Sequence, residues 1–316
     1  MRDPRAAVAG LILLFVSHGA FGADVFRLYA PPGGVYANAS FEREGIVEVD
    51  VTIEHEGVAI PAWFLAVGPG NAGVFEPRQM SQGANALDYQ ITGAPPPSTQ
   101  VLKAPPTALT ASDVVTGGDF ATEALTAELV TFTIYVHVPS GQFGPSGEYV
   151  DSVSVELYAG DYADPGTHVL ADSVTVTVTG RMAELVDLYA DREPGIRSMD
   201  LTTTVSNRLI ATVNERSNSS SGYLVTITSA NLAADTSGAV APFMAHEAGG
   251  GALSYSLTYG GTPVGSWSGG AALVVDSTSI TAPEWVSREL RISYTGSPAL
   301  DAGDYEDRLI ITISAR

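Results

Sequence analysis

The sequence predicts an all-β fold of two tandem β-sandwiches, the second lacking its final strand. Three observations carry that expectation. Stretches of apolar–polar alternation with period two recur along the chain and are rich in β-branched residues. Gly/Pro-rich turns separate them, and helical periodicity is nearly absent. One motif occurs twice, in GEYVDSVSV (147–155) and GDYEDRLII (303–311), each time running into a strand-like segment. Two copies of one sandwich topology explain the repeat.

Composition sets the outer limits. The 316 residues carry 15 basic and 35 acidic side chains, a formal charge of −20. That charge repels phosphate backbones, so no nucleic-acid partner is expected. Cysteine is absent, which removes disulfides, thiolate metal sites and a cysteine nucleophile. No apolar run of about 18 residues lies beyond the N-terminus, so no transmembrane segment is expected once that end is removed.

Taken in order, the first element is an export signal. Arg2 and Arg5 give a positive start, Leu11 to Val16 an apolar core, and Ala20-Phe21-Gly22 the small residues of a cleavage site. Residues 1–22 are therefore expected to be removed during export. ADVFRLYAPPGG (23–34) then meets Pro and Gly early and makes a poor free ladder strand, because Pro cannot donate to a neighbour. IVEVDVTI (46–53) alternates as a half-buried strand does. VGPGNAG (67–73), GAPPPSTQ (93–100), PSGQFGPSG (139–147) and GDYADPGT (160–167) read as turns. SVTVTVT (173–179) is the last strand of the first copy, so the division falls near Gly180-Arg181, giving residues 23–180 and 181–316. Residues 182–189 fit a short helix or a strand. YLVTIT (223–228) alternates again, and GALSYSLTY (251–259) corresponds to ANALDYQI (84–91).

The two copies end differently. After Tyr149 the first copy continues through a loop into the strand at 173–179. After Tyr305 the second runs straight to DRLIITISAR. A strand with no following partner leaves backbone N–H and C=O groups unpaired along one edge and a groove over the core. Period two puts Leu309, Ile311 and Ile313 on the groove side, with Leu201 and Val205 as further lining positions. Each such side chain left wet forgoes roughly 1.5–3 kcal/mol of burial, so another chain should fill the groove by strand addition. Two alternatives stay open: an ordinary sheet edge, or closure by an early strand such as residues 183–189.

Further segments carry a family resemblance: FEPRQMSQGANALDYQI (75–91), IYVHVPSGQFGPSGEYVDSVSVELY (134–158), IATVNERSNSSSGYLVTITSAN (210–231), SYSLTYGGTPV (254–264) and GDYEDRLIITISAR (303–316). Together they resemble the spore coat protein U domain, the fold of archaic chaperone–usher pilus subunits. The resemblance implies immunoglobulin-like sandwiches, the C-terminal one incomplete. It also implies three partners: a periplasmic pilus chaperone, an outer-membrane usher and an adjacent pilin subunit. Two-domain members are similar to tip adhesins, whose complete N-terminal domain binds a surface receptor, here unidentified. The implied location is the cell-surface fimbrium. An internal or minor pilin and a secreted carbohydrate-active sandwich are the alternative readings. Chaperone function is disfavoured by the acidic charge and by the placement of Lys103 in a Pro-rich loop.

Chemistry-bearing constellations are few. His55, His137, His168 and His246 show no metal-ligand spacing. GSWSG (265–269) has Trp267 where a nucleophile elbow needs Ser. Asp301, Asp304, Glu306 and Asp307, and likewise Asp161 and Asp164, read as solvated acidic turns. No catalytic residue, metal or cofactor is expected. Asn218-Ser219-Ser220 fits a glycosylation sequon and also a polar hairpin turn. Phe75, Pro96 and Phe143 sit in Gly/Pro-rich connections, where they either form a surface-binding patch or plug their own loops.

Overall fold

The computed structural model describes residues 24–117, 120, 122–193, 199–281 and 283–316. The expected signal segment 1–22 lies outside them. The regular secondary structure of the described residues is almost entirely β, as the period-two alternation predicts.

The N-terminal half contains β1 (Val25–Tyr29), β2 (Val35–Ala39), β3 (Gly45–Gly57), β4 (Trp63–Val67), β5 (Arg78–Gln82), β6 (Asn85–Thr92), β7 (Ala124–Val138), β8 (Gly147–Ala159) and β9 (Val169–Met182). They form one hydrogen-bonded path, β1-β3-β7-β6-β5-β8-β9-β2, with β4 also on β8. β6 turns the path over: Asn85 to Tyr89 pair with β5, and Gln90 to Thr92 pair with β7. The alternating inward residues of both limbs meet in one core. β3 contributes Val49, Val51 and Ile53, β7 contributes Ile134, Val136 and Val138, β8 contributes Tyr149, Val153, Val155 and Leu157, and β9 contributes Val176 and Val178.

The C-terminal half contains β10 (Val186–Arg192), β11 (Val205–Ser217), β12 (Tyr223–Ser229), the short helix α1 (Ala230–Ala234), β13 (Phe243–His246), β14 (Ala252–Ser254), β15 (Ser256–Tyr259), β16 (Thr262–Pro263), β17 (Ala271–Ser277), β18 (Val286–Tyr294), β19 (Tyr305–Glu306) and β20 (Leu309–Ala315). Its sheets are β10-β11-β18-β15-β16, β17-β12-β20 and β14-β13-β19. Val213, Val225, Ile227, Leu257, Tyr259, Leu290 and Ile292 form a second, separate core. The ambiguous stretch 182–189 resolves as the last residue of β9, a short connection and the start of β10, with no helix.

Most strands of the two halves correspond. β4 lies on β8 as β12 lies on β20: Leu65 faces Leu157, and Val225 faces Ile313. β5 touches β8 at Ser81 and Val150, as β13 touches β19 at Ala245 and Glu306. Met80 faces Leu87 as Met244 faces Leu253. β1 lies on β3 as β10 lies on β11. Among the described residues, only β9 and the β2 that pairs parallel to it have no counterpart in the C-terminal half.

A polar lock joins the halves. Asn218 is fully buried: its Oδ1 accepts from Leu185 N at 2.6 Å and its Nδ2 donates to Ala183 O at 3.1 Å. Its carbonyl accepts from Ser146 N of the N-terminal half at 2.8 Å, and Ser220 N donates to Ser146 Oγ at 3.2 Å. The sequon asparagine is thus an internal clamp on the connection rather than an outward-facing turn residue. Beside it the Arg216 guanidinium lies 4.5 Å from the Trp285 ring and 5.0 Å from the ring of Phe41.

Candidate strand-acceptor groove

The edge of β20 is where the C-terminal half differs most from its N-terminal counterpart. On one side β20 pairs with β12 from Leu309↔Ser229 to Ala315↔Tyr223. Just beyond its ends, Arg316 N donates to Gly222 O at 3.1 Å and Ala230 N donates to Arg308 O at 3.0 Å. In an antiparallel ladder, bonded and non-bonded residue pairs alternate. Ile310, Thr312 and Ser314 therefore direct their backbone groups at β12. Leu309, Ile311, Ile313 and Ala315 direct theirs the other way, where no strand pairs with them among the described residues.

The same alternation orients the side chains. Leu309, Ile311 and Ile313 are half-buried and touch the C-terminal core, whereas Ile310, Thr312 and Ser314 are exposed. Their counterparts in β8, namely Val153, Val155 and Leu157, are completely covered, because β9 pairs with β8 from Gly147 to Ala159. Each groove residue thus presents both an unpaired peptide group and an incompletely covered apolar side chain.

The early strand that could have closed this layer does not. β10 pairs with β11 along its whole length, in the other sheet. Bonds from Asn218 N to Leu185 O at 3.0 Å and from Glu193 N to Ile210 O at 3.1 Å set its phase. Val186, Leu188 and Ala190 therefore aim their backbone groups away from β11. Leu188, Met199, Leu201 and Val205 are half-buried against the same core as the β20 side chains. Leu201 and Val205 thus join Leu309, Ile311 and Ile313 on one core, and Val205 also lines an open cleft of about 380 Å³ with Tyr255 and Tyr294.

The repeated motif has a physical explanation that the sequence alone did not supply. Tyr89 of ANALDYQI donates to Asp151 of GEYVD at 2.6 Å, and Tyr255 of GALSY donates to Asp307 of GDYED. Asp151 also accepts from Asn71 N at 2.8 Å, as Asp307 does from Asn231 N at 3.1 Å. The two halves of the repeat are therefore hydrogen-bond partners, and Asp307, read as part of a solvated acidic turn, is an internal acceptor. Burial, then the hydrogen bond to the neighbouring carboxylate, pushes the Tyr89 and Tyr255 phenols well above their ordinary value. The usable signal was co-occurrence: a Leu-x-Tyr and a Tyr-x-Asp recurring together in each copy.

A second buried cluster ties the sheets of the C-terminal half without a disulfide. The fully buried Glu215 of β11 accepts from Tyr223 of β12 at 3.1 Å, from Tyr259 of β15, and from Arg288 Nε of β18 at 3.1 Å. Burial and the Glu215 hydrogen bond raise the Tyr259 phenol likewise.

Phe75, Pro96 and Phe143 occupy separate surroundings, and all three are half-buried. The Phe75 ring lies 5.2 Å from the guanidinium of Arg78, which is itself buried and donates to Gly68 O at 2.9 Å and Val67 O at 3.0 Å. Phe143 meets Phe41 edge-on at 5.8 Å, which places it beside the Arg216 junction. His137, expected on a sheet face, lies 2.9 Å from Glu44. No group of three or more His, Cys, Asp or Glu side chains able to hold a metal occurs among the described residues. No helix among them is long and apolar enough to cross a membrane.

No family model matches the sequence, and no curated protein does. Among solved structures the chain is similar to the CsuC–CsuE chaperone–tip adhesion subunit pre-assembly complex of archaic Csu pili from Acinetobacter baumannii. That match has 10% identity and a TM-score of 0.38, and covers 89% of this chain and 99% of that one. It is also similar to the CFA/I adhesin CfaE of enterotoxigenic E. coli, at 13% identity and a TM-score of 0.34, over 90% of this chain and 76% of that one.

Proposed function

We propose that this protein is a non-enzymatic subunit of a surface fibre, completed by an extended strand from another polypeptide. One observation carries the reading: the β20 edge, where Leu309, Ile311 and Ile313 combine peptide groups unpaired among the described residues with half-buried side chains. Strand addition satisfies both at once, through main-chain bonds along the edge and apolar side chains in the groove. In the full form of the proposal, residues 23–180 make a complete binding domain and 181–316 an incomplete pilin-like one. A periplasmic chaperone fills the groove first, and an adjacent subunit replaces it at an outer-membrane usher. The position proposed is the fibre tip. Support comes from β1: Val25 to Tyr29, the first strand after the expected signal, is paired with β3 at every position and is not available as a donor.

The test is immunogold electron microscopy of cells expressing the tagged full chain together with the fibre-assembly genes of its own locus. Gold at fibre ends is expected, and Ile313→Asp should remove it while Thr312→Asp leaves it. Labelling along the fibre length would overturn the tip position. Labelling unaffected by Ile313→Asp would overturn the groove.

A further inference from the structure

We infer that His246 is a pH-sensitive latch in the C-terminal half: its neutral imidazole pins the GDYED segment, and its protonation releases that segment. The two halves build this place alike. Because Ser81 faces Val150 and Ala245 faces Glu306, Gln82 and His246 hold one position, as do Gly147 and Gly303 of the repeated motif. In each half the side chain lies over that glycine. A Cβ on Gly147 would collide with Gln82 Nε2, and one on Gly303 with His246 Nε2. In each half the same nitrogen also meets the carbonyl of the residue before the glycine. Gln82 Nε2 donates to Ser146 O at 3.4 Å, and His246 Nε2 lies 3.2 Å from Ala302 O. The difference between the copies is chemical. The Gln82 amide does not titrate, whereas an imidazole gains a proton between about pH 8 and pH 5.

Both partners of the His246 ring have fixed polarity. Ala248 N, 3.1 Å from Nδ1, can only donate, so Nδ1 is the unprotonated acceptor. Ala302 O can only accept, so Nε2 carries the hydrogen. The place therefore fits one neutral tautomer. A proton on Nδ1 would set one N–H against another and break the Ala248 bond. What the ring steadies is the contact of β13 with β19, where Ala245 pairs with Glu306 and His246 with Tyr305. There Glu247 N donates to Asp304 O at 3.0 Å, and the Tyr305 ring meets the imidazole edge-on at 4.9 Å. The charged groups around the ring are Glu247 beside it, Asp301 and Asp304 on the loop before β19, and Glu306 on β19, all exposed carboxylates; β14 brings none. Carboxylates favour the charged imidazolium, yet the slot between Ala248 and Ala302 accepts the neutral ring alone. Proton uptake is thereby coupled to release. The contribution of the latch is whole while the imidazole is neutral and is lost as pH falls.

Two nuclear magnetic resonance measurements on the full chain test the latch. Long-range proton–nitrogen spectra of the imidazole at about pH 7.5 should show His246 protonated at Nε2 alone. A ring protonated at Nδ1 there would overturn the proposal, whatever the variants do. Amide exchange is then compared at about pH 7.5 and pH 5, expressed as protection so that its intrinsic pH dependence cancels. Protection at Glu247 and Ala248 is expected to fall about tenfold at the lower pH, as for the loss of one net hydrogen bond, while Ser81 at the equivalent contact keeps its protection. His246→Gln, which installs the residue of the N-terminal copy, should abolish the pH dependence. Protection at Glu247 and Ala248 that is equal at the two pH values in the parent would overturn the latch. So would a loss that survives His246→Gln, because it would belong to the surrounding carboxylates.

Discussion

Tyr89 and Tyr255 each donate a phenolic hydrogen bond to an aspartate, the buried Asp151 and the half-buried Asp307, and each joins two segments far apart in sequence. Removing the Tyr255 hydroxyl takes one charge-assisted bond from Asp307 and leaves Ser229 Oγ and Asn231 N as its donors. Tyr255→Phe is expected to cost the C-terminal half about 1.5–3 kcal/mol, the range for hydrogen bonds to charged groups, read as a lower urea midpoint. An unchanged midpoint would contradict the assigned pairing. The same residues set the alkaline limit. Folding keeps Tyr89, Tyr255 and Tyr259 protonated beyond the pH at which the unfolded chain ionises, chiefly through burial. Their contribution to stability is whole below about pH 10 and is lost as pH rises toward the folded values, by about 1.4 kcal/mol per pH unit for each phenol. Absorbance at the phenolate band should show these three ionising only with unfolding. Early, reversible ionisation of all thirteen tyrosines would refute their burial. None of these partnerships could be read from periodicity, because alternation shows which residues point inward but not which inward residues touch.

Strands were the most legible level. The runs at 46–53, 173–179 and 223–228 became β3, β9 and β12, since alternating β-branched residues suit a surface with one buried face. The phase of Leu309, Ile311 and Ile313 was readable for the same reason. Less legible was what neighbours each edge: residues 183–189 could have closed the layer, and only pairing shows β10 committed to β11. The NERSNSSS segment was also ambiguous, because a polar run suits an exposed turn and a buried clamp equally until Leu185 and Ser146 are placed around Asn218. At this scale the groove predicts a contrast between neighbours on one strand. Ile313→Asp should abolish capture of a donor-strand peptide by the purified chain, and Thr312→Asp should weaken it less than threefold, as measured by calorimetry. Equal losses would mean that both faces of β20 matter and that the groove is misplaced.

Across the whole molecule, two similar halves are held at a junction built from Asn218, Ser146 and the Arg216 guanidinium between Phe41 and Trp285. Asn218→Ala leaves Leu185 N–H and Ala183 C=O without their side-chain partners. It is expected to destabilise the C-terminal half by about 2 kcal/mol and to broaden the range of inter-half distances seen by X-ray scattering. Unchanged scattering with unchanged melting would show that the lock is idle. The same comparison of halves gives the central claim its meaning, for one half carries β9 and the other leaves its place empty among the described residues. Residue-resolved amide exchange along β20 tests that claim most directly. Ile310, Thr312 and Ser314 should be protected by β12, while Leu309, Ile311 and Ile313 exchange rapidly in the isolated chain and slow on strand addition. Protection of Ile311 and Ile313 in the isolated chain, equal to that of Thr312, would contradict it.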